Sequence, residues 1–69
     1  MKTTEPTNKQ WKDFCQRVID TKGNPSTKDA EETGVSFTYW FEFVTRIKTD
    51  EQRVERAKFV LDKLERMGY

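Results

Sequence analysis

All three glycines of this chain stand where a helix is expected to end. Gly23 is followed by Asn24 and Pro25; glycine can adopt the left-handed conformation that closes a helix, and proline disfavours helical backbone in the residue before it. Gly34 and Gly68 stand at the ends of two further segments. These boundaries divide the 69 residues into separate helices, and a chain of this length has room for only one small domain.

Hydroxyl side chains mark the expected starts of these helices. Thr7 and Thr49 are each followed three residues later by Gln, the pattern of a capping box in which side chains and backbone satisfy one another. Ser26 and Ser36 are good N-cap residues for a second and a third helix. The sequence therefore predicts three long helices and a short one over residues 27–33.

The first and the last helix each carry one apolar stripe at helical spacing. The stripe of the first helix consists of Trp11, Phe14, Cys15, Val18 and Ile19. The last helix, expected from about Asp50 to Met67, has a stripe that consists of Val54, Ala57, Val60, Leu61, Leu64 and Met67. We predict an all-α bundle of about four helices over residues 7–69, preceded by a flexible tail over residues 1–6.

Residues 35–44 are the one stretch in which the local pattern favours a strand as much as a helix. Large apolar residues alternate there with mostly polar ones, and aromatic and β-branched residues are frequent. No other segment reads as a strand, however, and a lone strand leaves its backbone donors and acceptors unpaired unless a second copy supplies a partner. We therefore predict that this stretch is helical.

The composition excludes several classes of site. Cys15 is the only cysteine and histidine is absent, so the chain can form no internal disulfide and an ordinary zinc site lacks ligands. No nucleophile–base pair and no glycine-rich phosphate loop are present. No apolar run approaches the roughly 18 residues of a membrane span. We therefore predict a cytoplasmic protein that is not an enzyme, binds no cofactor or metal and does not associate with membranes.

The net charge gives little support to nucleic-acid binding. It is +1, from 13 basic and 12 acidic residues that are mixed along the whole chain. Nucleic-acid binders usually carry a larger basic excess. A neutral protein can still present a local basic face, so DNA binding depends on how the charges are arranged.

Between residues 26 and 47, a small residue, Ala30, is followed four positions later by Gly34 and then directly by the apolar Val35. With further apolar residues at helical spacing, this segment resembles the helix-turn-helix of phage-repressor regulators. The resemblance implies that the second and third helices cross tightly at Ala30 and that Gly34 makes the turn between them. It also implies that four residues of the third helix face the core, namely Trp40, Phe43, Val44 and Ile47.

The resemblance implies a small DNA-binding regulator of transcription, of the kind found in phages and other mobile elements. Such regulators read bases with the N-terminal face of the second helix of the motif. Here Ser36 and Thr38 would contact DNA from that face, together with Arg46, while Lys28 and Lys48 would contact phosphates. DNA binding through these five residues is the leading prediction.

Aromatic residues on the same helix lead to an alternative. Phe37 and Phe41 occupy the expected reading face, where they can touch thymine methyl groups but cannot form the bidentate hydrogen bonds that discriminate bases. Six large apolar residues of this helix span more than half its circumference, so its surface is either flanked by two elements or partly exposed. If Phe59 lies nearby, the three rings would anchor a protein partner or a second copy in a homodimer.

Overall fold

The computed structural model describes residues 5–69, which form four helices and no strand. The helices are α1 (Asn8–Asp20), α2 (Thr27–Thr33), α3 (Phe37–Arg46) and α4 (Asp50–Arg66). The predicted all-α bundle is therefore confirmed, including helix rather than strand after Ser36. Of the predicted flexible tail, residues 1–4 lie outside the described residues, and Pro6 is buried.

The first two helices begin with complete capping boxes. The Thr7 hydroxyl accepts a hydrogen bond from the Gln10 N–H at 3.2 Å, and the Gln10 side chain accepts one from the Thr7 N–H at 2.8 Å. Ser26 and Asp29 are paired in the same reciprocal way. The bond from the Ser26 backbone N–H is the main reason why the pKa of Asp29 lies below its usual value. Local hydrogen bonds thus set where both helices start.

The other two helix starts differ from each other. The Thr49 hydroxyl accepts a hydrogen bond from the Gln52 N–H at 3.2 Å, so α4 is capped as predicted. Ser36 has the extended backbone of an N-cap residue, yet its side chain forms no capping hydrogen bond. The prediction that Ser36 caps the third helix is therefore correct for the backbone and wrong for the hydroxyl.

Two glycines turn the chain between helices. Gly23 has φ +89° and Gly34 has φ +84°, in the left-handed region that side chains with a Cβ rarely adopt. After Gly34, the Val35 N–H donates to the Ala30 carbonyl at 2.8 Å, which closes the last turn of α2. These turns form at the positions that the sequence predicted.

The core lies mainly between α1 and α4, with α2 covering one end. Its buried residues are Phe14, Cys15, Val18, Ala30, Val35, Ala57 and Leu61. The predicted stripe of α1 supplies three of them, while Trp11 and Ile19 pack against the cluster half-buried. The prediction for Met67 is wrong: α4 ends at Arg66, and the Met67 side chain is 57% exposed because it borders an open groove.

Candidate interaction surface on the third helix

α3 is attached to the rest of the molecule along two adjacent sides, and none of its residues is buried. The Phe43 ring packs edge-on against Phe14 of α1, with ring centroids 5.5 Å apart. On an adjacent side of the helix, the Trp40 indole N–H donates to the Pro25 carbonyl at 2.8 Å. These contacts hold the helix in place and leave its opposite side in solvent.

The exposed side of α3 carries an aromatic patch, formed by Phe37 and Phe41. Phe37 is 62% exposed and Phe41 is 51% exposed. Their rings stack with centroids 6.0 Å apart, and the Phe37 ring also lies 5.4 Å from that of Trp40. Neither ring belongs to the core, which answers the question that the sequence left open.

The segment that carries the aromatic patch has nearly balanced charges. Residues 26–48 hold three basic and four acidic side chains. Two of the acidic ones, Asp29 and Glu32, bind the Arg17 guanidinium of α1 at 3.0 and 2.8 Å. Glu31 and Glu42 are exposed and form no ion pair with any residue from 5 to 69. The three basic side chains of the segment are likewise exposed and form no ion pair with any residue from 5 to 69, so three unpaired cations stand beside two unpaired carboxylates.

The five predicted DNA contacts differ in exposure and position. Lys28, Thr38, Arg46 and Lys48 are exposed. Arg46, however, borders a groove on the side of α3 that faces α4, and the other four residues do not line that groove. The Ser36 hydroxyl oxygen is buried and has no hydrogen-bond partner among the described residues, so in this conformation it cannot reach a base or a phosphate.

Arg53 holds the C-terminal end of α3, a role that sequence reasoning missed. Its guanidinium donates to the carbonyls of Val44 and Ile47, both at 2.7 Å, and to that of Gly23 at 3.2 Å. The side chain is 14% exposed. One signal was present in the sequence: Arg53 lies four residues before Ala57, which places it on the buried side of α4.

A second surface, the groove, separates α3 from α4. It is an open cleft of about 1080 Å³ with α1 at its base, and Phe59 and Met67 border it. Phe59 is 62% exposed, and the Arg56 guanidinium lies 5.8 Å from the centre of its ring. Phe37 and Phe41 do not line the groove, because they project from the far side of α3. The structure therefore does not bring Phe59 into the aromatic patch.

Comparison of the chain with protein-family models, with curated proteins and with solved structures finds no match. Within residues 5–69, no group of three or more histidine, cysteine or acidic side chains is placed to hold a metal ion. None of the helices in that part of the chain has the length and apolarity to cross a membrane. Function is therefore inferred from the chain's own surfaces.

Proposed function

We propose that this protein is a non-enzymatic interaction module that binds another protein through the aromatic patch of α3. The observation that carries the proposal is the exposure of Phe37 and Phe41, two stacked rings that project into solvent from a helix held on its other side. Large exposed aromatic side chains at the centre of a patch are typical anchors of protein interfaces.

The spacing of the two rings suits a groove in the partner. Phe37 and Phe41 are four residues apart, so they lie one above the other on α3 and can enter a single apolar cleft together. Glu31, which shares a shallow hollow with Phe37, supplies an acidic edge to the patch. The partner should therefore present an apolar cleft flanked by Lys or Arg side chains.

The rings of the patch already contact one another in the free protein. Phe37 and Phe41 stack on each other, and Trp40 beside them is held by its bond to Pro25. Side chains that are ordered in the free protein lose less conformational entropy on binding. A small patch of this kind can therefore give useful affinity.

DNA binding is a second candidate function, and the turn between α2 and α3 favours it. The left-handed Gly34 joins a short helix to an exposed one, the order of elements that a helix-turn-helix requires. Lys28, Thr38 and Lys48 are exposed nearby in sequence. Against it stand the two rings and the Glu42 carboxylate on the reading face, which offer bases no bidentate hydrogen bonds.

Paired variants test the protein-binding proposal. Wild type, Phe37→Ala/Phe41→Ala and Phe59→Ala are immobilised and compared for the proteins they retain from a lysate of the source cells. A retained protein is then purified and titrated against each variant by calorimetry. We expect the double variant to lose about 100-fold or more in affinity and the Phe59 variant to bind like wild type. Equal affinity for all three would contradict the proposal.

A titration with duplex DNA of random sequence separates the two candidates. Binding that depends on phosphates weakens steeply as salt rises, whereas an aromatic protein interface responds little. We expect no binding to fluorescent duplex DNA at low salt. Salt-sensitive binding that Lys28→Ala and Lys48→Ala weaken, and that Phe37→Ala/Phe41→Ala leaves unchanged, would favour the DNA candidate instead.

A further inference from the structure

The side of α4 that faces away from the core has Phe59 at its centre, and we call it the outer face. Ala57, Leu61 and Leu64 point toward the core, on the opposite side of the helix. Phe59 is 62% exposed, as exposed as Phe37, and it lies outside the aromatic patch. An exposed ring at the middle of a long helix is an available anchor for another helix.

The charges beside Phe59 are sorted by sign, except that Arg66 lies on the acidic side, about 20° from Phe59. With 3.6 residues per turn, Arg56 and Lys63 lie about 40–60° to one side of Phe59, and Glu55 and Asp62 lie about 40–60° to the other side. The outer face therefore has a basic flank and an acidic flank. Asp62 also binds Arg66 at 3.1 Å, but both side chains are well exposed, so that ion pair contributes little and can be exchanged.

This sorting selects one arrangement for two copies. When two α4 helices pack in parallel around a twofold axis, the basic flank of each copy meets the acidic flank of the other. When they pack antiparallel, basic meets basic and acidic meets acidic. In the parallel pair the flanks that meet carry opposite net charge, and Arg66 is the one side chain of the acidic flank that the partner's basic flank would repel.

We infer that the outer face of α4 binds a second copy of this chain, with the two α4 helices parallel and the two Phe59 rings in contact. Arg56 and Lys63 of each copy then pair with Glu55 and Asp62 of the other. The groove beside α4 leaves room for this approach, since no described residue fills the space between α3 and α4. Glu42 and Arg46 on the α3 wall of the groove carry opposite charges, so that wall has no net charge. The charges on the two flanks of α4 therefore determine whether the two α4 helices pack parallel or antiparallel.

The contact leaves the aromatic patch free. Phe37 and Phe41 project from the far side of α3, away from the groove, so self-association presents two patches on one dimer. The inference does not rest on the proposed function: variants of Phe59 test the dimer and variants of Phe37 and Phe41 test partner binding. A dimer would bind a bivalent partner more tightly than either patch binds alone.

Sedimentation equilibrium over about 1 μM to 1 mM protein tests the self-association. We expect wild type to show a monomer–dimer equilibrium, and Phe59→Ser to weaken association about 30-fold or more. Phe37→Ser is the matched control because both rings are 62% exposed, and it should associate like wild type. Circular dichroism verifies that both variants are folded. A wild type that stays monomeric throughout, or an equal response of the two variants, would overturn the inference.

Disulfide trapping tests the orientation. In a Cys15→Ala background, Gln52→Cys places a thiol close to the twofold axis of a parallel pair, whereas an antiparallel pair centred on Phe59 separates the two thiols by about 21 Å. We expect mild oxidation to cross-link this variant to a dimer. Lys58→Cys, which points away from the outer face, is the control and should stay largely monomeric. If sedimentation shows a dimer but oxidation does not cross-link the Gln52→Cys variant, the parallel arrangement is refuted.

Discussion

At the residue scale, Arg53 is the side chain that ties most elements together. It reaches from α4 to the carbonyls at the end of α3 and to the loop after α1. Carbonyl groups at a helix end have no partner within the helix, and a guanidinium with several donors can satisfy more than one of them. Arg53 is thus a structural residue and is not free to contact a phosphate.

Replacing Arg53 by Met should destabilise the fold. The substitution keeps the apolar stem but removes the hydrogen bonds to Val44, Ile47 and Gly23, and bonds from a charged donor contribute more than neutral ones. We expect the free energy of unfolding in a urea titration to fall by about 2–4 kcal/mol. Lys58→Met, at an exposed position of the same helix, should change it by less than about 0.5 kcal/mol. Equal effects would show that the Arg53 bonds contribute no stability.

Cys15 should make stability depend on pH in the alkaline range. Burial raises the pKa of its thiol from 9.0 to about 12, an effect that the positive charge of Arg56 partly opposes. The unfolded chain loses this proton at lower pH than the folded chain does. The stabilisation is therefore complete below about pH 8.5 and is lost progressively as pH rises toward the folded pKa.

The measurement compares wild type with Cys15→Ala, which retains every other titrating group. Between pH 8.5 and 10, the wild type should lose about 1 kcal/mol of unfolding free energy in urea relative to the variant. In addition, a thiol reagent at pH 8 should label the native protein far more slowly than the urea-unfolded protein. If the unfolding free energies of the two proteins changed with pH in parallel, burial would not raise the pKa of the Cys15 thiol.

At the element scale, the turns after α1 and α2 depend on glycine for different reasons. Both Gly23 and Gly34 have positive φ. A Cβ added to Gly23 would overlap the backbone of Asp50 at the start of α4, whereas one added to Gly34 would come within 2.5 Å of the Gln10 side chain. A side chain can move aside more easily than backbone, so the two positions should tolerate alanine unequally.

We therefore expect Gly23→Ala to be the more damaging substitution. Gly34→Ala should cost about 1–2 kcal/mol, for the left-handed backbone and for a weakened cap of α1. Gly23→Ala should cost more, because α4 must also shift away from the loop. Urea titrations of both variants measure this order, with Gly68→Ala as a control that shares the positive φ but has open space around it. If Gly34→Ala proved the more destabilising, the loop around Gly23 would be able to move away from Asp50 without a shift of α4.

At the scale of the whole molecule, stability depends on a small core centred on Phe14. Its ring is fully buried and contacts Trp11 within α1 and Phe43 from α3. A domain of this length has roughly 3–10 kcal/mol of stability in total. Losing one central ring is therefore a large fraction of what holds the fold together.

Phe14→Ala should destabilise the protein by about 3–5 kcal/mol and lower its melting temperature by about 15 °C or more. Phe37→Ala, which removes an equally large but exposed ring, should change stability by less than about 1 kcal/mol. Thermal unfolding followed by circular dichroism compares the two. A large loss of stability in the Phe37 variant would place that ring in the core and remove the aromatic patch from consideration.

The positions at which the helices begin and end could be predicted from local sequence signals. Thr7, Ser26 and Thr49 cap helices, and Gly23 and Gly34 turn the chain, because each acts on backbone groups only a few residues away. The side of α1 that faces the core was also predictable, because a helix with a single apolar stripe buries that stripe. Such interactions are local, so they can be inferred without knowing how the helices pack.

The covered side of α3, in contrast, follows from the packing of the helices and not from local sequence. This helix has apolar residues around more than half its circumference, and a core of this size contacts only part of them. α1 covers the Phe43 side in part and leaves Phe37 and Phe41 in solvent, while the gap between α3 and α4 separates them from Phe59. From the sequence, Arg53 likewise looks like a surface charge. In the structure it is largely buried, because the C-terminal end of α3 packs beside it. Each of these outcomes depends on contacts between helices that are distant in sequence, which local patterns do not specify.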